Sequence, residues 1–79
     1  MFFYIVERIG DGTRANPYRP NIPEGMSFVW SDNQCSTCET FLLASDVLIE
    51  GLTQVTDLNE ASISRNLDLL DVEKWFAGD

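Results

Sequence analysis

The chain opens on an almost unbroken apolar run, Phe2-Phe3-Tyr4-Ile5-Val6, which passes through Glu7 and Arg8 to Ile9. Aromatic and β-branched residues favour extended backbone. Apolar side chains at both odd and even positions give a strand two hydrophobic faces, so the pattern predicts a central strand over residues 2–9. Gly10-Asp11-Gly12 follows as a turn, because glycine tolerates positive φ. An arm then runs from Asn16 to Gly25 as Asn16-Pro17-Tyr18-Arg19-Pro20-Asn21-Ile22-Pro23-Glu24-Gly25, and it holds all three prolines of the chain. Proline fixes φ and lacks an N–H, so the arm is expected to avoid the sheet interior and run extended over a surface. Met26–Ser31, with Phe28, Val29 and Trp30, predicts a second strand.

Periodicity alone does not assign residues 39–44. As a strand they form a hairpin with Met26–Ser31, closed by the region around Cys35. As a helix they start at Ser36, where Ser36-Thr37-Cys38-Glu39 fits a capping box, and run to Gly51. The strand is preferred because Ser45-Asp46 is itself a cap signal, which predicts a short helix from there to Gly51. Leu52–Leu58 predicts a last strand. The tail predicts a helix over 68–77, capped by Asp68, with Asp71 in its first turn, Leu67 and Val72 as a hydrophobic staple, and Gly78 as its stop. Leu69, Val72 and Phe76 share one face of that helix, with Trp75 beside them. Together these elements predict one α+β domain over residues 1–79. Its sheet is small, open and antiparallel or mixed, with three to four strands, one or two short helices and the arm at 16–25.

Composition narrows the chemistry. A 79-residue chain buries only about 60–65% of its unfolded surface, so either an efficient core or a partner surface has to support it. No apolar run approaches the ~20 residues of a membrane span, and the opening residues lack the basic flank and cleavage site of a signal peptide. The formal charge of −8 is uneven: residues 1–40 carry five acids against three arginines, and residues 41–79 eight acids against Arg65 and Lys74. Nucleic acid is repelled by such a surface, so direct binding to it is not expected.

The chain has no histidine, the commonest general base and metal ligand. Serine and threonine thus lack an activating base, and the carboxylate pairs Asp46/Glu50 and Asp68/Asp71 read as solvated helix caps and faces. Cys35-x-x-Cys38 is the only spacing that names a chemistry. Two cysteines cannot complete a structural zinc site alone, and no βαβ context marks a thioredoxin-like pair. Loop thiols or a disulfide are the leading interpretation, with a metal bridge between subunits or a redox pair as the alternatives. No catalytic, cofactor-binding or metal-binding residue is assigned, and no small-molecule substrate or cofactor is expected. Binding is better supported. Tyr, Trp and Arg are enriched at interface hot spots, and Pro17, Tyr18, Arg19, Pro20 and Trp75 are the candidate partner-binding residues. Trp30 and Phe76 are read as core, and an open sheet also offers an edge for strand addition.

Tyr4-Ile5-Val6, Ile9-Gly10-x-Gly12-Thr13, Asn16-Pro17-Tyr18-Arg19-Pro20 and Ile22-Pro23-x-Gly25 resemble small proteins encoded among the virion structural genes of tailed bacteriophages. The resemblance covers about the first third of the chain. It continues more loosely in Leu48-x-x-Gly51-Leu52-x-x-Val55-x-x-Leu58 and implies a non-enzymatic virion or assembly component. The expected function is a structural or assembly protein of a phage particle. It would be assembled in the host cytoplasm and bind neighbouring virion subunits or itself through the arm and a sheet edge. The alternative is an acidic phage-encoded inhibitor of a host nucleic-acid enzyme, resting on the charge beyond residue 40.

Overall fold

The computed structural model describes residues 1–31, 34–35 and 37–75. Its elements are β1 (Phe2–Ile9), β2 (Arg19–Pro20), β3 (Val29–Trp30), β4 (Thr40–Ser45), β5 (Thr53–Gln54), α1 (Leu58–Ser64) and α2 (Leu69–Glu73). The fold is α+β. β1 and β4 pair antiparallel from Phe2 opposite Ser45 to Glu7 opposite Thr40. β3 flanks β4 in the hairpin expected from sequence, with Val29 opposite Ala44 and Trp30 opposite Leu43. On the other side of β1, two short strands lie end to end: β2 opposite Arg8 and Ile9, and β5 opposite Tyr4 and Ile5. The arm thus adds a strand to the sheet. It does so at an edge, where a proline without an N–H is tolerated.

The two apolar faces of β1 account for two core layers. Tyr4 and Val6 meet Phe41, Leu43 and Ile49 on one face, covered by Ile22, Met26, Phe28, Trp30 and Leu52. Phe3 and Ile5 point to the other face, where Leu42, Ala61 and Val72 form the centre and Val55, Leu58, Leu67 and Trp75 close over it. Trp30 is half-buried, with its ring 5.0 Å from that of Phe41. The helices cover only the second face.

Three expectations are corrected. Residues 45–51 form no helix. Ser45 ends β4, its hydroxyl donates to Ser27 O (2.7 Å) and accepts from Val47 N (3.2 Å), and the Ile49 N–H goes to the Tyr4 hydroxyl (2.8 Å). The apparent cap is a serine turn, in which a side chain takes the backbone bond that a helix would need. The last strand stops at Gln54 and does not reach Leu58, because Asp57 caps α1 by accepting from Glu60 N at 3.1 Å. The second strand is shortened to Val29–Trp30.

α1 then ends in a Schellman motif. Asn66 takes φ 58°, Asn66 N donates to Ile63 O (3.1 Å) and Leu67 N to Ser62 O (2.9 Å). For α2, Asp68 is the cap as expected, accepting from Leu70 N at 2.9 Å. The expected continuation through Phe76 and Ala77 to Gly78 lies outside the described residues. No helix among the described residues is long and apolar enough to cross a membrane.

Candidate functional site

Between β1 and β2 the chain makes a tight loop. Asp11 N and Gly12 N both donate to Asn16 O (3.1 Å each), and Asp11 Oδ1 accepts from Thr13 N (3.0 Å) and from the Thr13 hydroxyl (2.6 Å). Those Thr13 bonds favour the ionised carboxyl and hold Asp11 below the usual aspartate range. Two glycines are required here. A Cβ on Gly10 would lie 2.8 Å from the Pro17 carbonyl carbon, and one on Gly12 would lie 2.6 Å from the Tyr18 ring. Both positions also have positive φ, 100° and 81°.

Tyr18 therefore folds back over Gly12, and the Arg8 guanidinium carbon sits 4.1 Å from the centre of its ring. Such a cation–π contact contributes about 0.5–1 kcal/mol at an exposed site. Arg19 Nη1 donates to Asn16 Oδ1 (2.7 Å) and Pro17 O (3.0 Å), which ties its guanidinium to the loop. Pro17, Tyr18 and Arg19 are exposed, Tyr18 at 39%. The result is a rigid tip that presents a proline, an aromatic ring and a guanidinium, its geometry fixed by bonds within the loop.

Pro20 is buried and takes no part in the exposed tip, but it contributes to the wall of the adjoining groove. That groove, of about 500 Å³, has Ile9, Ile22, Phe28 and Trp30 along it and Arg19 and Glu24 as its charged groups. Trp75 lies elsewhere. It is half-buried against the helix-side layer, so the structure joins Pro17, Tyr18 and Arg19 in one surface and leaves Trp75 out.

The region around Cys35 turns out to be a clamp. Gln34 is buried, and its side-chain amide donates to Leu42 O (2.8 Å) while its carbonyl accepts from Leu42 N (2.8 Å). It completes the β4 ladder as a neighbouring strand would. Cys35 and Cys38 form a disulfide, and Cys35 N donates to Arg65 O at 3.1 Å, which ties this loop to the end of α1. Joined sulfurs present no thiolate to a metal. Among the described residues no group of three or more Cys, Asp or Glu is arranged to hold one.

A second groove, of about 310 Å³, follows α1. Ile5 and Ala61 line it with Thr53–Thr56 on one side and Asp57, Glu60, Ser64 and Arg65 on the other. Arg65 is 8% exposed. Its Nη1 donates to Ala61 O (3.2 Å) and Ser64 Oγ (2.9 Å), and its Nη2 to Thr40 Oγ1 (2.5 Å). Its buried Nε has no acceptor. Burial lowers the pKa of the guanidinium.

No family model, curated protein or solved structure matches this chain. Side-chain chemistry therefore carries the functional reading. Sequence reasoning passed over Arg8, Gln34 and Arg65. Arg8 could have been found from the hairpin, since it stands opposite Pro20 across the β1–β2 pair and so next to Tyr18. Gln34 and Arg65 gave no signal beyond residue type.

Proposed function

We propose that the chain is a non-enzymatic assembly module of a bacteriophage particle, docking on a neighbouring virion subunit through the β1–β2 hairpin tip and the groove beside it. The observation that carries this is the ordered tip: Tyr18 packed between Gly12 and Arg8, with Arg19 fixed by Asn16 and Pro17. Immobilising a flexible side chain on binding costs about 0.5–1.5 kcal/mol. A tip already held in place avoids most of that cost, and tyrosine and arginine are the residue types that dominate interface energetics. The adjoining groove offers apolar surface around Phe28 and Trp30 for the partner to cover. The virion setting rests on the resemblance of residues 4–25. Strand addition is the weaker route, since β2, β3 and β5 span only two residues each.

Capture of partners from a phage-producing lysate with the tagged chain, followed by cross-linking and mass spectrometry, tests the proposal. Capsid or tail subunits should be recovered at both low and moderate salt, with cross-links from residues 16–25. Tyr18→Ala with Arg19→Ala should reduce recovery about thirtyfold or more, the effect of a hot-spot loss of ≥ 2 kcal/mol, while leaving the circular dichroism spectrum unchanged. Recovery of a host polymerase or nuclease that vanishes as salt rises would point instead to the exposed carboxylates of the helix side.

A further inference from the structure

The charge of the chain is divided along its length more sharply than its total suggests. Residues 1–31 carry Glu7, Asp11 and Glu24 against Arg8, Arg14 and Arg19, a net of zero, so the whole formal charge of −8 falls on residues 32–79. Every residue that lines the groove beside the hairpin tip, from Ile9 to Trp30, belongs to the neutral part. Like charges brought face to face disfavour association. A second copy of the chain is therefore repelled by surfaces built from residues 32–79 and meets no net charge at this groove.

The two charged groups of the groove are of opposite sign and are not used on each other. Arg19 and Glu24 are both exposed. Arg19 donates through Nη1, to Asn16 Oδ1 and Pro17 O, and among the described residues no ion pair takes its other N–H groups or the Glu24 carboxylate. A surface with one cation and one anion is self-complementary under a two-fold rotation. The rotation sets each charge of one copy opposite the other charge of its mate, and the separation of the two is matched by construction. The same apposition covers half-buried Ile22, Phe28 and Trp30 of both copies and removes their apolar surface from water. A chain this short has much to gain from such burial, since its own core is small.

We infer that the neighbouring subunit docked at this face is a second copy of the same chain, in a two-fold dimer that sets groove against groove. Arg19 of each copy pairs with Glu24 of the other, at the edge of an apolar contact centred on Phe28 and Trp30. This rests on the assembly reading in taking the tip and groove as the docking surface, and it adds the identity of the partner.

The test is sedimentation equilibrium of the pure, intact chain in about 0.15 M salt. Concentrations from about 1 µM to 1 mM span the affinities of weak protein contacts. The mass should rise with concentration from 8.9 kDa toward twice that value. Arg19→Glu and Glu24→Arg each set like charges against one another at both ends of the dimer, and each should weaken it about a hundredfold or more. Both positions are exposed, so both variants should keep the circular dichroism spectrum of the parent. Mixed in equal amounts, the two variants should dimerise again, because every glutamate then faces an arginine. A damaged fold would give no such recovery. Should Arg19→Glu misfold for want of its bond to Asn16, the loss of dimer in Glu24→Arg carries the test alone. A chain that stays monomeric throughout, a dimer that neither reversal weakens, or a mixture of folded variants that stays monomeric would overturn the inference. Capsid or tail subunits captured by a chain that is monomeric when pure would leave the assembly reading standing without the dimer. A charge-dependent dimer that captures no virion subunit would keep the dimer and remove the assembly reading.

Discussion

Gln34 shows how one side chain can stand in for a strand. β3 pairs β4 only at Ala44 and Leu43, and the next position, Leu42, is fully buried. Its N–H and C=O would face a dry interior without partners. The Gln34 amide presents one donor and one acceptor at backbone spacing and satisfies both at 2.8 Å. Gln34→Ala removes the two bonds and leaves two backbone groups orphaned, each at a cost of about 1–3 kcal/mol when buried. Urea denaturation should therefore show a loss of at least about 2 kcal/mol with an unchanged m-value. A loss below about 0.5 kcal/mol would mean that water reaches Leu42. Tyr4 works in the same way from the other layer, its hydroxyl accepting the Ile49 N–H from a residue remote in sequence.

Among the elements, legibility followed locality. β1 could be read from its own residues, because aromatic and β-branched side chains on both faces leave few alternatives to a central strand. The cap of α2 was equally local, with Asp68 bonding two residues ahead. α1 was missed although its signals were present. Asp57 and Glu60 stand three residues apart, and Asn66 ends the helix in the left-handed region that asparagine tolerates. The β-branched run Thr53–Val55–Thr56 masked them by extending the strand pattern too far. The loop over 46–51 failed for the opposite reason, since what decides it is the distant Tyr4 hydroxyl, which no local pattern shows. The candidate site divides likewise: the glycines, Pro17, Tyr18 and Arg19 were visible, but Arg8 became part of it only through strand register. Asp57→Ala should lower stability by about 1 kcal/mol, measured by thermal or urea unfolding. The amides of residues 58–64 should lose exchange protection, while those of β1 and β4 away from the helix layer keep their order of protection.

At the scale of the whole molecule, the two core layers share β1 and β4 and neither has a sheet of its own. The groups on either side of that ribbon should therefore unfold together. Each layer carries one tryptophan, Trp30 among the residues packed on the first and Trp75 on the second. Variants with a single tryptophan, Trp75→Phe and Trp30→Phe, should each give one fluorescence transition in urea, coincident with the transition seen by circular dichroism in the same variant. A separate, earlier transition for Trp75 would show the helix layer detaching on its own. Charge is also organised at this scale. Asp57, Glu60, Asp68, Asp71 and Glu73 are all exposed on the helix side, so the tip and groove of the assembly proposal lie apart from the most acidic surface.

The strand pieces β2 and β5, drawn from segments more than thirty residues apart in the chain and laid end to end along β1, have a consequence for misfolding. Fibril growth and strand exchange need a continuous run of backbone that an incoming chain can copy rung by rung. Here that rim is broken midway and carries Pro20 in one half. To invade β1, a competing molecule would have to dislodge two unrelated segments at once. A small chain with so apolar a first strand thereby keeps that strand from becoming the seed of an aggregate.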